Sequence, residues 1–309
     1  MLGSQGFKKI VFMGSPAFAV PSLRALHSAG HDIVAVFSQP PRPAGRGQKL
    51  QKTAVHEVAE ELGLTVYTPE RLRGDDLEFV MGLEADVFCV VAYGLLLPKR
   101  MVDERLCLNV HPSALPRWRG AAPLQWTLIE GDDFTDVCVM KLDEGMDTGP
   151  VVARESMAVP HSMTLGELHD VTAAKGAEML VDVVGQLPDI KETPQEGEAT
   201  LAPKIGSGTR AIDWNKPAMA VHNLVRGLSP SPTATARFGD EVVKILRSNV
   251  VDGFGKAGDV LAIDDEGIVV GCNEAALRIA EMQRPGGKPA KAADLARGWS
   301  AMVVGATFA

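Results

Sequence analysis

A chain of 309 residues can bury a large core and form about two domains, and its 46% hydrophobic and 23% charged residues exclude a disordered chain. Four cysteines without a C-x-x-C pair exclude a disulfide framework and disfavour cysteine-ligated zinc, so we expect buried thiols and no metal. The formal net charge of −8 argues against indiscriminate polyanion binding, and the lack of a bilayer-spanning apolar run or a signal peptide predicts a cytoplasmic protein without membrane contact.

Short apolar runs and helical patterns alternate through the first hundred residues. Apolar runs cover residues 8–13, 32–37 and 86–92, and a helical pattern over 17–29 separates the first two. Because strand, helix, strand is the βαβ signature and continuous apolar strands need cover on both faces, we predict a Rossmann-like, doubly wound, mostly parallel α/β sheet. The first turn is not G-x-G-x-x-G, which argues against a dinucleotide site. Ligands of such sheets still bind beyond the carboxyl ends of the strands.

A basic segment interrupts this pattern between residues 38 and 52. It contains three prolines, two glycines and no acidic residue. We expect a long loop that is either a solvated insertion or a site for a phosphate-rich ligand, and its composition alone leaves both interpretations open. Its basic residues are Arg42, Arg46, Lys49 and Lys52.

The stretch NVHPSALPRWRGAAP, residues 109–123, carries the most reactive group of side chains. Asn109, His111 and Ser113 alternate along the chain, so an extended backbone places them on one face, which we expect to be solvated and reactive. The prolines and the Arg-Trp-Arg run that follow indicate a shaped loop. An isolated N-x-H can also be a strand end whose polar groups only satisfy one another.

Asp147 lies in a second loop, residues 143–150, after a predicted strand over 136–142. Since both loops follow strands, Asn109, His111 and Asp147 can meet at one edge of the sheet. An amide can donate to a developing oxyanion, an imidazole can polarise it or move a proton, and a carboxylate can orient the imidazole or accept a proton through water. This set suits acyl transfer to an amine, although an aspartate in such a loop can also simply cap a turn.

The remainder of the chain predicts a second domain. Thr164 and Glu167 form a capping box that opens a long helix. Residues 188–209 are rich in Pro, Gly, Glu and Thr and predict a linker. Beyond it, a helix at 217–228 and five short apolar runs with Gly-rich turns predict a small OB-like β-barrel. We therefore expect a catalytic domain at 1–187, a linker at 188–209 and a C-terminal domain at 210–309.

These motifs together resemble those of the folate-dependent formyltransferases. The resemblance rests on N-x-H followed by S-x-L-P-R-W-R-G-A-A-P, and on the later D-x-G-x-D-T-G. The segment QPxRPAGRGxKL, the strand VVAYGLxLP and the C-terminal domain resemble the branch of the family that acts on initiator methionyl-tRNA. The resemblance implies that 10-formyltetrahydrofolate donates a formyl group to the methionine amine of initiator methionyl-tRNA. It also implies a Rossmann-like catalytic domain joined to an OB-like tRNA-binding domain, in a protein that we expect to be monomeric.

The resemblance also implies roles for individual residues. Asn109, His111 and Asp147 match the catalytic positions of the family, and Arg46 matches an arginine that engages the tRNA acceptor end. This favours the phosphate-facing interpretation of the basic segment. The other expected contacts are Val91, Tyr93, Gly94, Ser113, Ala114, Leu115 and Pro116 with the folate, and Arg42, Lys49 and Lys204 with the tRNA.

The sequence departs from the family pattern at several positions. Pro112 stands where many members have Gly, Ala114 replaces a usual Leu, and Asp136 occupies a position that is usually Gly. The basic segment begins with Pro40-Pro41 where an Asp commonly precedes the arginine, and the expected linker lacks an acidic residue near Gly208. These differences concern the folate-facing backbone and the handling of tRNA.

Three alternative functions remain. The first is formyl transfer from the same donor to a sugar amine or a purine-precursor amine, which the basic segment and the C-terminal barrel disfavour. The second is hydrolysis of the formyl donor, which the domain order and the lack of a fused dehydrogenase disfavour. The third is a nucleic-acid-binding OB protein with an inactive Rossmann-like half, which would be expected to have lost part of the Asn109, His111 and Asp147 set.

Overall fold

The computed structural model describes residues 6–44, 47 and 49–309, and these form two compact units. The first unit contains the chain up to Gly120 together with Asp136–Met157 and His169–Leu201, and the second contains Ala121–Thr135, Ala158–Leu168 and Ala202–Ala309. Two segments that the sequence placed in the N-terminal domain, 121–135 and 158–168, therefore belong to the second unit. One reason is the close packing of Ile129, in the first of these segments, against Gly227 of the second unit, where a Cβ would lie only 2.9 Å from Cγ1 of Ile129. The predicted domain limits remain a prediction.

The bounds of the regular elements follow in chain order. The strands are β1 (Lys9–Gly14), β2 (Asp32–Phe37), β3 (Arg42–Ala44), β4 (Lys49–Gln51), β5 (Val66–Tyr67), β6 (Val87–Val91), β7 (Cys107–His111), β8 (Arg119–Gly120), β9 (Phe134–Lys141), β10 (Val151–Ala158), β11 (Leu201–Ala202), β12 (Ala234–Phe238), β13 (Glu241–Val251), β14 (Val260–Asp264), β15 (Gly267–Gly271), β16 (Ala276–Gln283) and β17 (Ala290–Lys291). The helices are α1 (Val20–Ser28), α2 (Ala54–Glu61), α3 (Asp75–Met81), α4 (Lys99–Glu104), α5 (Pro123–Ile129), α6 (Leu165–Gly185), α7 (Ser207–Arg210), α8 (Ala218–Leu228) and α9 (Ala292–Arg297), with a 3-10 turn at Ala17–Ala19.

The first unit is organised around a sheet with the strand order β10-β9-β7-β6-β1-β2-β5. β1 pairs in parallel with β2 and β6, β2 with β5, and β6 with β7, whereas β9 pairs antiparallel to β7. The predicted mostly parallel, doubly wound sheet is confirmed. Because the chain leaves β1 toward β2 on one side and later enters β6 on the other, the carboxyl ends of β1 and β6 frame the switch point at which ligands of such sheets bind.

The apolar runs of the sequence form the core beside this sheet. Val11, Phe37 and Phe88, from three neighbouring strands, are buried in one cluster with Met101 of α4. Helix α2 begins where the side chain of Thr53 accepts a hydrogen bond from the His56 backbone N–H, which satisfies one of the free N–H groups of its first turn. Burial of both sheet faces explains why these strands read as unbroken apolar runs.

Two elements of the first unit differ from the predictions. The basic segment, expected as a loop, contains the hairpin β3–β4, in which Arg42 lies opposite Gln51. Alternation in strands of three residues is too short to be read from the sequence. Gly45, Arg46 and Gln48 of this segment lie outside the described residues. Helix α4 was not predicted, because six residues are too few for a helical period.

The second unit is built on antiparallel strands in the order β12-β13-β16-β15-β14, with β17 paired to β16. The five short strands expected from the sequence are confirmed, and α8 matches the predicted helix at 217–228. The C-terminal residues form bridges with both edges of this sheet. Phe308 pairs with Phe238, the last residue of β12, and Thr307 pairs with Asp259, just before β14. These bridges close the sheet over an apolar core that includes Trp214 and Phe308. Among the described residues, no helix combines the length and apolar character required to cross a membrane.

Candidate active site

Asn109 and His111 lie on β7, inside the sheet of the first unit. On one side β6 places Val90 beside Asn109, and on the other β9 places Cys138 beside His111. The two side chains therefore share one face of the strand, as their spacing predicted. The expectation that this face is solvated was wrong: Asn109 is 9% exposed and His111 4%. The Trp118 carbonyl and the Asp147 carboxylate, from the chain beyond the strand, lie against the imidazole.

Ser113 does not extend the reactive face. β7 ends at His111, and the fully buried Ser113 hydroxyl donates to the Arg117 carbonyl at 2.7 Å, closing a turn. Leu115 packs in a small cluster with Cys138 and Met140. Residues 113–116 thus form a packed turn after the strand, and their expected contact with the folate remains a prediction.

The surroundings of His111 determine which ring nitrogen faces the site. Its Nε2 lies 3.0 Å from the Trp118 carbonyl oxygen, which can only accept, so we assign the proton to Nε2. Its Nδ1 lies 3.7 Å from Oδ2 of Asp147. In the neutral ring Nδ1 is therefore free to take a proton, and the resulting imidazolium would face a carboxylate.

The loop that carries Asp147 explains each position of the D-x-G-x-D-T-G motif. The Asp143 carboxylate accepts hydrogen bonds from the Gly145 backbone N–H at 3.0 Å and from the Thr148 hydroxyl at 2.6 Å. A Cβ on Gly145 would lie 2.0 Å from that hydroxyl, and one on Gly149 would lie 1.9 Å from the Lys141 carbonyl oxygen. Both glycines are therefore required by close packing. Asp147 itself adopts a left-handed backbone, with φ of 53°.

A network of polar groups that no sequence pattern predicts holds this loop. The Gly120 backbone N–H donates to Oδ2 of Asp147 at 2.8 Å. Nε2 of Gln195 donates to the backbone carbonyls of Asp147 and Gly149, both at 2.8 Å. Oε1 of Gln195 in turn accepts from Nε and Nη2 of Arg119, at 3.1 and 2.7 Å. Gln195 lies in the segment predicted as a linker, where composition conceals a single structured side chain.

Asn109 and Asp147 line the same cavity, which has a volume of about 190 Å³. Tyr93 and Gly94, two of the residues expected to bind folate, also line it. Val91, which was also expected to contact folate, is buried at the end of β6. Leu96 and Met146, on the cavity wall, are 87% and 64% exposed. The cavity therefore combines a polar floor with an apolar, accessible wall.

A second cavity, of about 560 Å³, lies at the switch point of the sheet. It shares Tyr93 and Gly94 with the first cavity and reaches Arg42, whose Nη2 donates to the Gln39 side chain at 3.1 Å. The shared residues place the two cavities next to each other, one lined by Asn109 and the other by Arg42 of the basic hairpin. A ligand that occupied both cavities would have a reacting group at one end and an anionic part at the other.

The remaining residues expected to bind tRNA are at the surface. Lys49 is exposed on β4, opposite Ala44. Lys204 is exposed in the second unit, directly after β11. Arg46 lies outside the described residues. Their contacts with tRNA remain predictions.

Cys138, the neighbour of His111 across β9, is not an activated nucleophile. Its thiol donates to the Ser113 carbonyl at 3.3 Å, and burial raises its pKa to about 11. A thiol with so high a pKa remains protonated at neutral pH. All four cysteines are free and buried, which confirms their interpretation as small core residues.

The contacts of Asp136, at which the sequence resemblance implies a glycine, are also defined. It is buried on β9, where its carboxylate accepts from Nη1 of Arg154 at 2.9 Å and from the Ser156 hydroxyl at 2.5 Å. Arg154 also donates to the Leu115 carbonyl at 2.6 Å. Asp136 on β9 therefore binds Arg154 and Ser156 of β10, and the same Arg154 reaches the turn after β7.

Comparison with known proteins places this geometry in a family. Residues 8–184 match the formyl transferase family model, and residues 204–300 match the model of the formyl transferase C-terminal domain. The chain belongs to the formyl transferase family. A methionyl-tRNA formyltransferase of Chelativorans sp. is 48% identical over 94% of this chain and 96% of its own length. One of Brucella ovis is 46% identical over 94% of this chain and 97% of its own length.

Several solved structures show the same fold at low sequence identity. A methionyl-tRNA formyltransferase from Clostridium thermocellum, 16% identical, superposes with a TM-score of 0.55 over 79% of this chain and 93% of its own. A sugar 3N-formyl transferase, WlaRD, 15% identical, gives 0.68 over 92% of this chain and all of its own. HypX from Aquifex aeolicus, solved in complex with tetrahydrofolic acid, gives 0.61 at 19% identity over 94% of this chain, which spans about half the length of HypX (47%).

Proposed function

We propose that this protein transfers the formyl group of 10-formyltetrahydrofolate to the amino group of methionine on initiator methionyl-tRNA. One observation carries the choice of substrate: relatives with 46–48% identity over nearly the whole chain are methionyl-tRNA formyltransferases. The site is consistent with it, because Asn109, His111 and Asp147 are all present and Asn109 and Asp147 share a cavity. We also propose that the protein is a cytoplasmic monomer.

The cavity fits an aromatic donor that presents a carbonyl group. Its exposed apolar wall, Leu96 and Met146, suits a flat ring system, and its floor places the Asn109 amide where a carbonyl oxygen can accept a hydrogen bond. The hydroxyl of Tyr93, buried in the same wall, has no hydrogen-bond partner among the described residues. Burial raises the pKa of this phenol, so it remains a donor.

The chemistry follows from what each side chain can do. The formyl group is transferred when the methionine amine attacks its carbon and the bond from that carbon to the folate nitrogen breaks, with the proton lost by the amine balanced by one gained at the leaving nitrogen. In this step the Asn109 amide donates to the developing oxyanion, and His111, whose unprotonated Nδ1 faces the site, can take up a proton there and then donate to the same oxyanion. The Asp147 carboxylate, 3.7 Å from Nδ1, stabilises the protonated ring and helps to remove the amine proton.

The basic hairpin is the proposed contact for the tRNA acceptor end. Arg42 lines the cavity at the switch point, and Lys49 is exposed on the paired strand. By resemblance to the family, Lys204 and Arg46, which follows β3 in the sequence and lies outside the described residues, add positive charge. Because the net charge of the chain is −8, such local basic contacts would make binding of tRNA focused and salt-sensitive.

The test is a formylation assay with 10-formyltetrahydrofolate and charged initiator tRNA. We expect formylmethionyl-tRNA, and a loss of about 10² to 10³ in rate for Asn109→Ala, which removes one oxyanion donor. A loss below about tenfold would remove that role. Arg46→Ala should weaken the use of tRNA and leave folate binding intact. Formylation of a small sugar amine but not of tRNA would replace the proposal with the first alternative.

A further inference from the structure

We propose that Gln195, oriented by Arg119, is a positioning residue that fixes the Asp147 carboxylate beside His111. The inference rests on the proposed function, in which Asp147 acts on the reacting groups. Gln195 touches only the backbone of the Asp147 loop and the Arg119 side chain in the contacts that the structure describes, so it acts through Asp147.

The hydrogen bonds of Gln195 admit only one orientation of its amide. The carbonyls of Asp147 and Gly149 can only accept, so they must face the amide NH₂. The guanidinium of Arg119 can only donate, so it must face the amide oxygen. Both N–H groups are used, and the oxygen receives two bonds. A side chain that is saturated in this way cannot rotate without losing several bonds.

The Asp147 loop needs such an external support. Asp147 has a φ of 53°, and for a non-glycine residue a left-handed backbone costs about 1–2 kcal/mol, so the loop has a local tendency to relax. Gln195 binds the carbonyl of Asp147 and that of Gly149, on either side of the intervening Thr148. Together with the Gly120 N–H on Oδ2, these bonds set both the backbone and the side chain of Asp147.

The first experiment compares two substitutions of Gln195 that differ in which bonds they retain. Gln195→Ala removes all the side-chain hydrogen bonds of Gln195. Gln195→Glu keeps an oxygen that accepts from Arg119, but it replaces the NH₂ donor by a carboxylate oxygen that faces the carbonyls of Asp147 and Gly149. If Gln195 positions Asp147, both variants lose about 10- to 100-fold in kcat, with little change in KM for the tRNA, because a small displacement of a reacting group costs that much. A side chain that merely anchors Arg119 would tolerate Gln195→Glu, and wild-type kcat in that variant would overturn the proposal.

The second experiment asks whether Gln195 acts through Asp147. In an Asp147→Ala background, adding Gln195→Ala should lower kcat by less than about twofold, since the group that it positions is already gone. The same loss in both backgrounds would overturn the proposal. Glu192→Gln is the matched control: it removes the charge from the 2.8 Å ion pair of Glu192 with Lys141, which ties the same segment to β9, and should leave kcat unchanged.

A readout independent of catalysis separates this proposal from the proposed function. Hydrogen exchange of the amides of residues 143–149 should accelerate in Gln195→Ala and Gln195→Glu and stay at the wild-type rate in Glu192→Gln. Unchanged exchange in both Gln195 variants would overturn the positioning role even if the wild-type protein formylates tRNA. Absence of formylation by the wild type would instead refute the proposed function and leave the exchange result to decide whether Gln195 holds the loop.

Discussion

The packing of α6 on β7 predicts that Gly176→Ala destabilises the wild-type protein but stabilises the Val110→Ala variant. Gly176 of α6 lies over Val110, the residue between Asn109 and His111 on β7. A Cβ added at Gly176 would lie 2.4 Å from Cγ1 of Val110 and 3.4 Å from Cγ1 of Val137. Since carbon atoms in contact are about 3.5–4.0 Å apart, Gly176→Ala must displace the helix or the strand by roughly 1 Å.

Two opposing effects set the size of the change. Alanine is better than glycine inside a helix by about 0.8–1.0 kcal/mol. Overpacking a close-packed core costs about 1–3 kcal/mol, and Val110 cannot yield easily, because it is 3% exposed and its β-branched side chain has few rotamers. We expect the steric effect to dominate, so that Gly176→Ala lowers the free energy of unfolding by about 1 kcal/mol.

Removing the obstructing methyl groups should reverse that sign. Val110→Ala alone should lower the free energy of unfolding by about 2 kcal/mol through lost burial and a cavity. In this background Gly176→Ala fills the space and adds helix propensity, so it should be stabilising by about 1 kcal/mol. Urea unfolding of the four proteins, followed by circular dichroism and by tryptophan fluorescence with coincident transitions, measures the cycle. Equal destabilisation by Gly176→Ala in both backgrounds would refute the assigned clash.

Two further predictions concern the Asp147 loop and the start of α6. Gly149→Ala, whose Cβ would lie 1.9 Å from the Lys141 backbone oxygen, must move backbone and should lower kcat by at least about tenfold; wild-type kcat in this variant would contradict the close packing. The backbone N–H and hydroxyl of Thr164, and then Arg247, hold the pKa of Glu167 below its usual 4.5. A carboxylate whose pKa is lowered by folding stabilises the fold above pH 4.5, and this stabilisation is lost as the pH falls through the pKa of the folded state. The difference in Tm between the wild type and Glu167→Gln should therefore narrow below pH 4.5. A difference in Tm that stays constant from pH 7 to below pH 4.5 would contradict a stabilising role for the Glu167 charge.

Local patterns explain which features the sequence could predict. The capping box is confirmed, because the Thr164 backbone N–H donates to the Glu167 carboxylate at 2.7 Å, and its two residues are only three positions apart. The apolar strands of the sheet were also predictable, since unbroken runs follow from burial on both faces. The placement of Asn109 and His111 on one face needed only the period of a strand.

Features that depend on tertiary contacts could not be predicted in the same way. Arg119 and Gln195 are 76 residues apart, and nothing in the composition around Gln195 distinguishes a structured side chain from a linker residue. The burial of His111 was likewise unpredictable, because the groups that lie against it come from Trp118 and Asp147, in the chain beyond the strand. The hairpin β3–β4 was missed because its strands have three residues each.

The proposed catalytic groups are held by two different means, and this determines how the site should respond to substitution. Asn109 and His111 are placed by the backbone pairing of β7 with β6 and β9, so their positions depend on apolar neighbours such as Val110 and on the helix packed against it. Asp147 has no such pairing and is placed by side-chain bonds from Gln195 and by close-packed glycines. Changes in core volume should therefore act on Asn109 and His111 together and reduce stability as well as rate. Changes in the polar network should act on Asp147 alone, and should reduce the rate with a much smaller effect on stability.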